Sequence, residues 1–112
     1  MTNEELNTAL YKKCFAEQEK YRDWLLHQTP EEILHHTYEY TLREDILLSL
    51  EYNDLSDKEC EAMLQSPAPI AEVFHDLERQ ETGHMENVWD TIQSRAHARM
   101  RENFLRSQEE AR

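Results

Sequence analysis

This chain is poor in the residues that interrupt helices. It has one glycine and three prolines among 112 residues. Few turns are available, so long uninterrupted helices are the natural reading. Cysteine is also scarce. Cys14 and Cys60 stand far apart and form no metal-type pair in sequence. Without a secretory signal, two such cysteines predict free thiols in a reducing compartment.

Long hydrophobic runs are missing. The longest aliphatic stretch, Ile46-Leu47-Leu48, falls far short of the roughly 20 apolar residues a membrane helix needs. The N-terminus reads Thr2, Asn3, Glu4, Glu5, with no apolar segment behind it. A cytoplasmic protein with no signal peptide and no membrane contact is expected. The sequence also has no Gly-rich phosphate loop, no nucleophile elbow and no Cys-x-x-Cys pair.

Positive charge is in short supply: 12 Lys and Arg stand against 24 Asp and Glu, a formal net charge of −12. The imbalance is uneven. Residues 1–94 hold 21 acids and 7 Lys or Arg, whereas residues 95–112 hold 3 acids and 5 Arg. An acidic body repels phosphate backbones, which argues against direct nucleic-acid binding, and it attracts basic protein surfaces. The simpler alternative is that the acidity serves only solubility.

What is present is helical patterning. Helix 1 is predicted from about Asn3 to His27, capped by Thr2 or Asn3, with Leu6, Leu10, Cys14, Tyr21 and Leu25 on one face. Trp24 and Leu26 are expected to widen that face. Thr29-Pro30-Glu31-Glu32 is a start signal, with Thr29 as cap and Glu32 completing a capping box. Helix 2 is predicted to run from there to about Tyr52. Its broad apolar side suggests a central position.

Ser56-Asp57-Lys58-Glu59 is a second capping box, opening a short helix to about Gln65. Ser66 and Pro67 then mark the start of the longest helix, reaching toward Arg112 with Gly83 as a possible bend. The expected fold is all-α: a small bundle of three main helices, the C-terminal one longest, and one short helix. Residues 1–112 form a single domain in this reading, with roughly 107–112 frayed. The long helix outreaches its neighbours, which predicts a homodimer with Met100, Phe104 and Leu105 at the contact. Trp89 and Tyr52 sit off their stripes and are candidate exposed anchors.

Several stretches resemble an uncharacterised bacterial family, domain of unknown function 3848: AEQEKYRDWLL (16–26), PEEILHHTYEYTLREDILLSLEYNDLS (30–56), SPAPIAEVF (66–74) and ETGHMENVWDTI (81–92). The resemblance implies a small helical protein associated with mobile elements. It implies no activity, so no catalytic residues carry over.

One spacing carries possible chemistry. Glu-x-x-His occurs as Glu32 to His35 and as Glu81 to His84, and Glu32 also pairs with His36 four residues on. Residues three or four apart share a helix face, so each pair could chelate one ion. Carboxylate di-iron bundles use two such motifs with further glutamates, and here Glu17 could supply one. Glu17, Glu32, His36, Glu81 and His84 are therefore candidate ligands for a transition metal such as iron or zinc. The competing reading is a structural polar network, with Arg43 or Arg95 satisfying the glutamates, and it weighs more. Cys14 and Cys60 lack the surroundings of a nucleophile. The expected function is a non-enzymatic acidic interaction module engaging a basic protein, with no cofactor. A metal-binding bundle and a structural homodimer are the alternatives.

Overall fold

A computed structural model of the chain describes residues 1–80 and 83–111, the side chain of His84 excepted. The described residues are helical with no strand. Six helices follow one another: α1 (Asn3–Leu26), α2 (Pro30–His35), α3 (Thr37–Tyr52), α4 (Asp57–Leu64), α5 (Pro69–Gln80) and α6 (His84–Glu110). The all-α expectation holds, but the count of three main helices and one short one does not. Two of the expected long helices are each divided in two.

The division at His36 has a local cause. The His36 N–H is shared between the carbonyls of Glu32 and Ile33, and the Thr37 hydroxyl donates back to the Ile33 carbonyl at 3.0 Å. The His36 bond to Ile33 is of the tighter 3₁₀ kind, which marks the end of α2 before α3 resumes. The C-terminal helix starts at Pro69 rather than Pro67, because the Ser66 hydroxyl accepts from the Ala68 N–H and holds Ser66–Ala68 as a turn. It ends at Gln80, and α6 begins past Gly83. The Gly83 backbone has φ −101, and a Cβ there would meet nothing within 4 Å, so the position does not require glycine.

The chain divides into two compact units, Met1–Glu78 and Arg79–Arg112. In the first, Leu6, Leu10 and Cys14 of α1 meet Ile46 and Leu47 of α3, Cys60 of α4 and Ile70 of α5. Val73, Phe74 and Leu77 pack on this core from α5, and Met63 and Leu64 from α4. The expected face of α1 is largely the buried one, with Gln18 added to it. Trp24 and Leu26 do not widen it, for both are exposed. The apolar side of the expected second helix is also narrower than its sequence suggests. Leu34, Tyr38 and Leu48 are exposed, and Arg43 joins Ile46 and Leu47 as the buried set of α3. The central helix is α1, which packs against α2, α3 and α4.

Polar side chains of α1 hold the other segments to it by their backbones. Asn7 both accepts from the Leu55 N–H at 2.9 Å and donates to the Leu55 carbonyl at 3.0 Å. Asn3 donates to the same carbonyl and to Asp57. Further along, Lys13 Nζ donates at 2.7 Å to the carbonyl of Leu64, the last residue of α4. One turn later, the Glu17 carboxylate accepts from the N–H groups of Ile70 and Ala71, in the first turn of α5, at 2.8 and 2.9 Å. A cation thus faces a helix C-terminus and an anion faces a helix N-terminus, the signs that the backbone dipoles favour.

Candidate functional site

Three features of the described residues stand out: a polar network on α1 and α3, an apolar groove in the Met1–Glu78 unit, and the uncovered face of α6.

The network runs through Arg43. Its guanidinium donates to Glu39 at 2.9 Å, lies 3.6 Å from the Glu17 carboxylate, and sits 4.1 Å above the centre of the Tyr21 ring. Glu39 is 3.7 Å from His36 Nδ1, and Glu32 is 3.9 Å from His36 Nε2. The His36 ring meets Trp24 edge-on. Three of the sequence candidates, Glu17, Glu32 and His36, thereby belong to one chain of contacts. The group between the carboxylates of Glu17 and Glu39 is a guanidinium, and both Glu17 oxygens already accept backbone hydrogen bonds. Among the described residues, no three His, Cys, Asp or Glu side chains come together in a way that could hold a metal ion. Glu81 and the His84 side chain lie outside the described residues.

The same layer contains an imperfectly satisfied pair. Gln18 donates to Glu44 at 3.0 Å, but its buried carbonyl oxygen has no partner. The buried Tyr21 hydroxyl also lacks a partner of good geometry. Burial, and then the nearby Glu39 charge, pushes Tyr21 up to about 12. Burial, and then Glu17, pushes the Cys14 thiol up to about 11, and burial raises Cys60 as well. Both thiols are free and buried. They are held protonated, the opposite of what a nucleophile needs.

The groove has a volume of about 640 Å³. Leu10 and Cys14 of α1 contribute to it, with Ile46 and Leu50 from α3, Met63 from α4, and Ile70 and Val73 from α5. Two acids interrupt the apolar lining, Asp45 on α3 and Glu59 on α4. Sequence patterning gave no sign of it, because its apolar residues come from four helices and also read as ordinary core.

None of the described side chains of α6 is buried. Val88, Trp89, Ile92 and Met100 are all exposed, at 37%, 58%, 52% and 66%. At 3.6 residues per turn, these four and Ala96 share a face about 120° wide. Arg95, Arg99 and Arg106 run along its Val88 edge. Arg95 is bonded to Glu102 at 3.3 Å in an exposed pair, a weak restraint. Of the expected contact residues, Trp89 and Met100 lie on this face and Phe104 flanks it. Leu105 points to the opposite side, about 170° from its centre. Tyr52, the other expected anchor, is exposed at the end of α3.

No helix among the described residues is long and apolar enough to cross a membrane. No curated protein and no solved structure matches this chain. The family model for the protein of unknown function DUF3848 matches residues 6–100, which takes in all of α2–α5 and most of α1 and α6. This chain therefore belongs to the DUF3848 family.

Proposed function

We propose that this chain is a non-enzymatic interaction module whose acidic body engages a basic protein surface. The observation behind this reading is the concentration of charge in the Met1–Glu78 unit, which holds 18 acids against 6 Lys or Arg. Residues 79–112 hold 6 of each and are balanced. Of the acids in the first unit, Glu17 and Glu39 are engaged by Arg43 and by backbone amides. Glu4, Glu5, Glu31, Asp54 and Glu61 face solvent. Such a surface suits a partner that otherwise binds phosphates, such as a nucleic-acid-handling protein, and would occupy its basic site.

Capture of partners from the host lysate at low and at high salt, with identification by mass spectrometry, tests this. The purified pair is then titrated across salt concentrations. A basic partner whose affinity falls with salt supports the reading. An empty capture, or a complex indifferent to salt, contradicts it.

A second reading rests on a different observation. The exposed apolar face of α6 favours self-association, and the chain acts as a homodimer in that case. The two readings are compatible, because the acids concentrate in one unit and the apolar face lies in the other.

A further inference from the structure

We infer that the apolar groove of the Met1–Glu78 unit is the seat for α6 of a second copy of this chain. The inference rests on the self-association reading and names the surface that α6 would cover. The groove has the form of a missing helix position. Leu10 and Cys14 of α1, Ile46 and Leu50 of α3, Met63 of α4, and Ile70 and Val73 of α5 all line it. Its volume of about 640 Å³ is lined by aliphatic side chains that a further amphipathic helix would cover. The same chain carries such a helix with no buried side chain of its own.

Charge selects the occupant. Asp45 and Glu59 sit in the groove lining on α3 and α4, and the unit around them is strongly acidic. The apolar face of α6 is edged by Arg95, Arg99 and Arg106. Placing that edge beside Asp45 or Glu59 pairs opposite charges around a core of Val88, Trp89, Ile92 and Met100. Reciprocal exchange of α6 between two copies gives a closed two-fold assembly in which each groove is filled once.

Sedimentation velocity on the full chain and on two single variants tests this. Ile92→Glu places a charge in the α6 face. Ala62→Glu places one at the groove, on a residue that is already exposed. Each variant is expected to raise the dimer dissociation constant by about 30-fold or more, the loss typical of a residue central to an interface. Each is expected to keep the wild-type circular dichroism. Mixing a Ser49→Cys chain with an Ile92→Cys chain should also give a covalent heterodimer under oxidation, since Ser49 lines the groove and is exposed. If Ile92→Glu weakens the dimer and Ala62→Glu does not, the groove assignment is overturned and α6 self-association stands. A wild-type chain that stays monomeric overturns both. A disulfide closing within one chain that carries both cysteines assigns the groove to the chain's own helix and overturns the exchange.

Discussion

Glu17 and Ile70 are 53 residues apart in sequence, yet the Glu17 carboxylate oxygen lies 2.8 Å from the Ile70 backbone nitrogen. Its second oxygen takes the Ala71 N–H, and Arg43 stands beside it. A residue that reads as a possible metal ligand is in fact the cap of a distant helix. The site is only 15% exposed, so these bonds form where water competes poorly.

Replacing Glu17 with Ala should therefore cost about 2–4 kcal/mol. Two amides lose their partner and a nearly buried guanidinium keeps only Glu39. Glu17→Gln should cost less, since an amide oxygen can still accept one N–H. Urea denaturation measures the loss. Hydrogen exchange should show protection falling first at Ile70 and Ala71. A Glu17→Ala variant as stable as wild type would rule out the capping role.

Arg43 and Glu17 should be energetically coupled. A double-mutant cycle with Glu17→Ala and Arg43→Ala is expected to give an interaction energy of about 1–3 kcal/mol. Arg43→Lys should not restore stability, because an ammonium cannot bridge two carboxylates and stack on Tyr21 as the planar group does. Simple additivity of the two losses would mean that the contact contributes nothing.

How much of this was legible in the sequence depends on the range of the interaction. Most local signals were read correctly, although Glu32 does not complete the expected capping box with Thr29 and Ser66 with Pro67 does not open α5. Thr2 caps α1, Thr29 accepts from the Glu32 N–H, and Ser56 and Glu59 form a complete capping box. Each involves residues three positions apart. The backbone contacts of Asn3, Asn7, Lys13 and Glu17 lay beyond reach, since their partners are 48 to 54 residues away. The break at His36 was hidden for another reason, whereas Gly83, just before α6, reads in the sequence as a possible bend. The segment around His36 contains no proline or glycine, and a threonine such as Thr37 sits equally well inside an intact helix, as Thr41 does in α3. Arg43 was named as a partner for the glutamates, but its burial on an apolar face could not be read from its charge.

Asn7 offers a test of the second long-range contact. Its amide makes both hydrogen bonds to the Leu55 backbone, just before α4. Asn7→Ala should cost about 1–3 kcal/mol by leaving a part-buried N–H unpaired. Asn7→Asp should also be destabilising, because a carboxylate cannot donate to the Leu55 carbonyl. Thermal melts of the two variants against wild type check both statements.

Alkaline pH should destabilise the fold. Cys14 has an ordinary value of 9.0 and is pushed up to about 11, and Tyr21 moves from 10.0 up to about 12. The unfolded chain loses these protons first, so the folded state binds more protons across this range. Their contribution is complete below pH 9.0, and it is lost as pH rises through about 11 and 12. Denaturation midpoints should fall over that window, and Cys14→Ala should flatten the earlier part of the fall. A midpoint that rises there would mean that burial does not hold these groups protonated.

Leu105 and Ile92 separate two views of α6. Both are exposed, but they point to opposite sides of the helix. Leu105→Glu should leave self-association nearly unchanged, whereas Ile92→Glu should abolish it. Equal effects from both would mean that the contact does not use one face.

The self-association reading requires that α6 find a partner. Sedimentation velocity on the full chain over a range of concentrations measures this most directly, since the monomer mass is 13.5 kDa. A dimer at the higher concentrations, returning to monomer on dilution and lost in Ile92→Glu, is the expected result. A wild-type chain that remains monomeric at every concentration would contradict it.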